Sequence, residues 1–144
     1  MCFCDTSTLA KYYVPEKESS SVRLHLDQEN QVMVSELARV ELMGVFHRRL
    51  RERKWNRDEF MAVVQQFSHD DIEGHWSWLP LDGTIVEQAS KIFIALPDSV
   101  FLRSSDCLHL VTALYYRIKE IYTYDAHQIQ AASVLGLKPI SISV

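Results

Sequence analysis

Three aspartates occupy corresponding places in the sequence, each where an apolar segment meets a helix. Asp5 follows MCFC, Asp125 follows IYTY, and Asp106 lies at the head of SSDCLHLVTALYYR. Taken singly, each is typical of a helix N-cap or first-turn acid, which contributes about 1 kcal/mol to stability. Taken together, they indicate a shared site, because the carboxyl ends of parallel strands lie at one edge of a sheet.

A glutamate in the long third helix joins these aspartates. On a helical wheel of about 100° per residue, Glu41 falls within the apolar stripe, between Leu37 and Gly44. An unpaired charge that faces a core is costly, so this position requires a partner or a metal. Glu36 falls on the far side of the helix, and we expect it to be solvated.

Four carboxylates brought to one place require a cation. Two unit charges about 4 Å apart repel by about 4 kcal/mol at an effective dielectric of about 20. A marginally stable domain does not tolerate all the pairs among four acids unless they protonate or bind cations. No His/Cys set accompanies the acids, and an all-oxygen site favours Mg²⁺ or Mn²⁺. Such an ion activates water and stabilises the oxygens of a phosphoryl displacement.

The elements that must position these acids are short apolar strands alternating with amphipathic helices. This order predicts an α/β fold with a parallel β-sheet flanked by helices. The predicted strands are MCFC, VMV, WSWLPL, IYTY and PISIS. The predicted helices span residues 6–14, 19–28, 36–53, 57–67, 85–96, 104–117 and 127–136. Ser35 is the expected N-cap of the long helix, and Thr84 with Glu87 the expected capping box of the helix after DG.

Length and composition limit the classes of protein. The 144 residues predict a single domain spanning 1–144, and 47% hydrophobic with 24% charged residues is typical of globular proteins. No apolar run approaches the roughly 18 residues of a membrane span, and no secretion signal is visible. Three cysteines cannot all pair, which favours the reducing cytoplasm. Cys2 and Cys4 lack a second ligand pair for zinc, so we expect small core residues.

A basic segment stands out against the net charge of −4. Residues 47–57, HRRLRERKWNR, contain five Arg, one Lys and one Glu, which gives +6 − 1 = +5 with His neutral. Two interpretations stay open. The segment is either a solvated helix end, where positive charge suits the helix dipole, or a patch that contacts phosphates.

Four segments of the chain contain the acids singled out above. In order they are DTSTLAKYYVPE, SELARVEL, LRSSDCLHLVTAL and TYDAHQIQAASVLGL. Together they resemble the motifs of a known family, the PIN-domain proteins, and specifically of the toxin subunits of VapBC-type toxin–antitoxin pairs. Each motif alone is weak, but four in order at the expected separations form a specific signal. Cys107 replaces the usual alanine, and cysteines replace aliphatic residues in the first strand.

The resemblance implies a metal-dependent endoribonuclease. It places the acidic quartet of the family on Asp5, Glu41, Asp106 and Asp125, which would hold Mg²⁺ or Mn²⁺ and deliver water to an RNA phosphodiester. The hydroxyls of Ser7 and Thr123 match family positions. They either orient a water on the metal or cap backbone groups, and both readings stay open. His109 matches a packing histidine of the family, so we expect a structural role for it.

The resemblance also implies a cognate antitoxin protein and a homodimer. The aromatic residues of the middle of the chain, Phe46 to Trp78, are mostly expected in the core, and the remainder would form an antitoxin groove or a dimer surface. Two alternatives differ in class. A non-catalytic module that binds RNA or a partner gains nothing from self-repelling carboxylates. A phosphoacceptor domain of receiver type requires a lysine that TYDAH lacks.

Overall fold

A computed structural model describes residues 1–144 as an α/β fold, as the sequence predicts. The strands are β1 (Cys2–Cys4), β2 (Val32–Ser35), β3 (Trp76–Leu79), β4 (Glu120–Tyr122) and β5 (Lys138–Ile140). The helices are α1 (Thr6–Tyr13), α2 (Ser19–Gln28), α3 (Leu37–Arg51), α4 (Arg57–Ile72), α5 (Gly83–Ala95), α6 (Ser104–Tyr115) and α7 (Ala126–Val134). All strands are parallel, in the order β3-β2-β1-β4-β5.

An apolar cluster covers each face of the sheet, so the central strands are buried on both sides. Along β1, Cys2 and Cys4 pack into one apolar cluster with Leu42, while Phe3 packs into the opposite cluster with Leu110. This alternation follows from the two-residue period of a strand. All three cysteines are buried and free, so Cys2 and Cys4 are the small core residues that the sequence predicts.

The sheet reverses its strand order beside β1, and this reversal creates the place for a site. From β1 the chain first adds β2 and β3 on one side, and later returns to add β4 and β5 on the other. In such sheets the crevice for ligands opens at the carboxyl ends of the two strands that flank the reversal. Here these strands are β1 and β4. The N–H of Asp5, directly after β1, donates a hydrogen bond to the carbonyl oxygen of Tyr122 in β4 at 3.1 Å.

Two predicted helix starts are wrong. Ser35 ends β2 instead of capping α3, although its hydroxyl still accepts the Leu37 N–H at 3.2 Å. Asp82 caps α5 by accepting the Ile85 N–H at 3.0 Å, and the expected box of Thr84 with Glu87 does not form. An aspartate is as good an N-cap as a serine or threonine, so Asp82 takes this place.

Other predicted ends are shifted by a few residues. The long helix ends at Arg51 instead of 53, because Arg53 adopts the left-handed conformation with φ of 59°. The next helix starts at a capping box of Asn56 and Glu59 and runs to Ile72, beyond the predicted 67. The helices predicted to end at 14, 96, 117 and 136 end at 13, 95, 115 and 134.

The two last strands are shorter than predicted because polar contacts replace strand pairing near the site. The strand predicted at 121–124 covers Glu120–Tyr122, since the Tyr124 N–H bonds to Ser7 Oγ at 2.9 Å. The strand predicted at 139–143 covers Lys138–Ile140, and the Ser141 hydroxyl binds the Thr123 carbonyl at 2.7 Å. None of the helices has the length and apolar character to cross a membrane.

Candidate active site

A cavity of about 520 Å³ opens at the carboxyl edge of the sheet, where β1 and β4 end. The four acids singled out in the sequence all line this cavity. They are Asp5, Glu41, Asp106 and Asp125, hereafter the acidic quartet. Arg103 and His109 line it as well, and neither was assigned to the site from the sequence.

Asp5 is the most buried member of the quartet, with 3% of its surface exposed. Its Oδ1 accepts the Thr8 N–H at 3.1 Å, which caps α1, and the Ser7 hydroxyl at 2.6 Å. Its Oδ2 accepts the Thr123 hydroxyl at 2.5 Å. Burial raises the pKa of Asp5, and the nearby His109 ring and these hydrogen bonds do not cancel the effect. The ionised carboxylate is therefore undercompensated.

The hydroxyls of Ser7 and Thr123 bind Asp5 and backbone groups at the same time. Ser7 Oγ accepts the Tyr124 N–H at 2.9 Å, and Thr123 Oγ1 accepts the Asp125 N–H at 3.1 Å. Each hydroxyl also donates to Asp5. Both hydroxyls thus cap backbone N–H groups, which is one of the two roles considered for them from the sequence. Both side chains also fix the orientation of the Asp5 carboxylate.

Glu41 lines the cavity and does not lie within the core stripe that the helical wheel predicts. The buried face of α3 is formed by Ala38, Leu42 and Phe46, whereas the Glu41 side chain is 28% exposed. Its Oε1 lies 2.5 Å from His109 Nε2 and accepts the Thr6 hydroxyl at 2.8 Å. Burial opposes ionisation of Glu41, but hydrogen bonds from these two partners outweigh it and lower the pKa. Glu36 is exposed.

His109 is buried, with 1% of its surface exposed, and it also belongs to the site. Its Nε2 faces Glu41 and lies 3.3 Å from Thr6 Oγ1, while its Nδ1 has no hydrogen-bond partner. The packing role expected from the sequence therefore describes only part of its contacts. One signal was available, since His109 follows Asp106 by three residues and thus shares its helix face.

Asp106 and Asp125 lie at the starts of α6 and α7, and one arginine joins them. Asp125 caps α7 by accepting the Gln128 N–H at 3.0 Å, and Asp106 occupies the first turn of α6. Arg103 Nε donates to Asp106 Oδ2 at 2.7 Å, and a terminal nitrogen of Arg103 donates to Asp125. Burial raises the pKa of Asp106, and the neighbouring Arg103 only partly opposes the shift.

The donor set of this cavity fits a hard divalent cation. All four acids offer oxygen ligands, and the raised pKa values of Asp5 and Asp106 show that the present surroundings leave their charge undercompensated. In this arrangement no three His, Cys, Asp or Glu side chains lie close enough to hold one ion. Arg103 binds two of the carboxylates, and Glu41 faces His109.

The family comparison agrees with the motifs. The family model of the PIN domain matches residues 2–134, which is most of the chain. The chain therefore belongs to the PIN domain family, as its resemblance predicts. No curated protein gives a significant match.

Solved structures of VapC-type toxins and toxin–antitoxin complexes share the fold. VapC20 of Mycobacterium tuberculosis, a sarcin–ricin loop cleaving toxin, gives a TM-score of 0.68 at 16% identity, over 91% of this chain and 95% of that one. FitAcB of Neisseria gonorrhoeae gives 0.69 at 18% identity, over 97% and 96%. VapBC2 of Rickettsia felis, bound to a promoter DNA fragment, gives 0.69 at 13%, over 99% and 100%.

Proposed function

We propose that this protein is a metal-dependent endoribonuclease, the toxin of a type II toxin–antitoxin pair. The observation that carries the proposal is the meeting of the acidic quartet in one cavity at the carboxyl edge of a PIN-domain sheet. An excess of carboxylates in a cleft is costly unless a cation binds there. A polyanionic substrate such as RNA also requires a cation if it is to bind at an acidic site. One divalent ion would therefore both neutralise the carboxylates and bind the phosphate of the RNA.

Within this proposal the members of the quartet have separate roles. Asp5, Asp106 and Asp125 are the principal ligands for Mg²⁺ or Mn²⁺, and Ser7 and Thr123 hold the Asp5 carboxylate in place. A divalent ion, when bound, supplies water activation and stabilises charge on the phosphate oxygens.

Glu41 serves as a further ligand or positions the attacking water. Its lowered pKa keeps it ionised, so it can accept a hydrogen bond from that water. His109 and Thr6 hold its carboxylate through the contacts described above.

The proposal extends to partners. Solved relatives include toxin–antitoxin complexes, which supports a cognate antitoxin that blocks the activity of this chain. One relative cleaves the sarcin–ricin loop, which supports a structured RNA as the class of substrate. A homodimer, which the resemblance implies, and a cytoplasmic location, which the three free cysteines favour, complete the proposal.

A non-catalytic module that binds RNA or a partner is the second candidate. The observation that favours it is the pair of bonds from Arg103 to Asp106 and Asp125, which neutralises part of the quartet without a metal. If these bonds were permanent, the quartet would not admit an ion and the domain would bind without turnover.

Cleavage of an end-labelled pool of structured cellular RNAs by the purified protein separates the two candidates. The reactions contain Mg²⁺, Mn²⁺ or a chelator. Discrete cleavage products that require a divalent ion support the nuclease. Intact RNA under all three conditions, from folded protein free of antitoxin, contradicts it and favours the binding module.

A further inference from the structure

Arg103 is the one arginine of the cavity wall that contacts the acidic quartet. Arg48 is the other arginine that lines the cavity, and its Nε is bound to Glu52 on its own helix at 2.8 Å. Arg103 instead donates to Asp106 from Nε and to Asp125 from a terminal nitrogen. It therefore connects the start of α6 with the start of α7, across the cavity where a cation is expected.

The charges of this cluster do not balance. One guanidinium faces two carboxylates, and the Asp5 carboxylate nearby has only uncharged donors on its oxygens. Arg103 therefore takes the place of a metal ion, but it supplies one positive charge where a divalent ion supplies two. A divalent ion competes for the same carboxylate oxygens, because Mg²⁺ and Mn²⁺ bind through carboxylate lone pairs.

Little besides the two acids holds the Arg103 side chain. Its side chain is 52% exposed, and its hydrogen bonds are those to Asp106 and Asp125. Arg39 provides the comparison within this chain. It binds Asp71 at 2.6 Å and also stacks on the Trp78 ring, with 4.1 Å between the guanidinium carbon and the ring centroid. Arg39 is thus fixed by an aromatic ring, whereas Arg103 is free to leave when its acids gain another partner.

We infer that Arg103 has two positions: it neutralises Asp106 and Asp125 in the metal-free protein, and metal binding releases it to hold a phosphate of the RNA. The inference rests on the proposed function. A guanidinium and a divalent ion repel each other on neighbouring carboxylate oxygens, so both do not stay there. Arginine binds phosphate with two parallel hydrogen bonds, and the displaced side chain remains at the mouth of the cavity where the substrate enters.

Calorimetric titration with Mn²⁺ tests the first half of the inference without any RNA. The proteins are the wild type, Arg103→Met and the control Arg39→Met, which also loses an Arg–Asp bond at the surface. Loss of the competing charge should tighten Mn²⁺ binding by Arg103→Met about tenfold, and Arg39→Met should match the wild type. Equal affinity in Arg103→Met and the wild type would overturn the inference while leaving the proposed metal site intact. A wild type that binds no Mn²⁺ would overturn the proposed function itself.

RNA affinity with and without metal tests the second half. The probe is a short phosphorothioate RNA, which resists cleavage. In Mn²⁺, Arg103→Met should bind it about tenfold more weakly than the wild type. In chelator the two should bind alike, because Arg103 is then held by its acids. An equal weakening in both conditions, or none in Mn²⁺, would overturn the exchange. Arg103→Gln repeats each measurement in case the methionine perturbs folding.

Discussion

Thr123 Oγ1 donates to Asp5 Oδ2 at 2.5 Å and so joins the ends of β1 and β4, two strands that are far apart in the chain. The same oxygen accepts the Asp125 N–H at 3.1 Å. One hydroxyl thus sets the orientation of one acid and the backbone position of another. Thr123 therefore links the positions of two acids of the candidate site.

Thr123→Val should destabilise the protein by about 1–3 kcal/mol, because it leaves a buried carboxylate oxygen without its donor. Thr112→Val is the matched control. Thr112 is equally buried, but its hydroxyl donates to Leu108 O of its own helix at 2.7 Å, so its loss should matter less. Urea unfolding measures both variants, with Thr123→Ser expected to restore stability. Equal losses in the two valine variants would contradict a special role for the Thr123 bond.

Asp5→Asn should stabilise the metal-free protein at neutral pH and not in acid. Burial raises the pKa of Asp5 in the folded state, so the native protein holds this proton more tightly than the unfolded chain. Wild-type stability attributable to Asp5 therefore falls as pH rises through the raised pKa, and the advantage of Asn grows over the same range.

Urea unfolding in chelator across a pH series measures that difference. Asp82→Asn, at the exposed N-cap of α5, controls for the exchange of Asp by Asn at a helix start. An advantage of Asp5→Asn that shrinks with rising pH would show that the buried carboxylate is already compensated without metal.

Arg48→Glu should weaken RNA binding and flatten its salt dependence. Arg48 lines both the acidic cavity and an adjacent groove of about 260 Å³ that Arg49 and Lys54 also line. Loss of one phosphate contact with single-stranded nucleic acid should make the negative slope of log K against log salt shallower by about 0.7. Binding of the phosphorothioate RNA at several salt concentrations gives the slope.

Lys91→Glu is the matched control for Arg48→Glu. Lys91 and Arg48 each pair with a glutamate one helical turn away, Glu87 at 3.2 Å and Glu52 at 2.8 Å, but Lys91 lies on α5 away from the cavity. If Arg48→Glu behaves like Lys91→Glu, the basic segment 47–57 is a solvated helix end and not part of the RNA path.

The three thiols should be inert in the native protein. Cys2, Cys4 and Cys107 are buried, and burial raises the pKa of Cys107 to about 11. Since the thiolate is the reactive form, an aromatic disulfide reagent at about pH 8 should modify none of them within minutes. All three should react after unfolding in guanidinium. Rapid modification of the native protein would contradict the packing of β1 and α6 described above.

The fold was predictable from the sequence because strand and helix periods alternate cleanly, and the acids that follow strands were placed by the same pattern. Asp5 and Asp125 belong to one edge for the general reason that parallel strands share a direction. The boundaries of β4 and β5 were not predictable to the residue, since they depend on bonds such as Tyr124 N–H to Ser7 Oγ that join distant segments.

Residues that complete the site were harder to predict than the acids. The helical wheel placed Glu41 on the buried face of α3, whereas the buried face is formed by other residues. The wheel uses only the periodicity of hydrophobic residues and contains no information about which elements pack against α3. Thr6 and Arg103 carry no periodic signal, and their roles emerge only when α3, α6 and α7 are assembled around the cavity. An arginine before a helix reads as an ordinary surface residue until its two carboxylates are in place.

The most direct test of the nuclease proposal compares RNA cleavage in Mn²⁺ by the wild type, Asp106→Asn and Asp82→Asn. Asp106 and Asp82 lie at the starts of neighbouring helices, but only Asp106 lines the cavity. Asp106→Asn should abolish cleavage while its melting temperature in chelator stays equal or rises, because burial already disfavours the Asp106 charge. Asp82→Asn should cleave as the wild type does. Cleavage by folded Asp106→Asn at the wild-type rate would contradict the assignment of the acidic quartet.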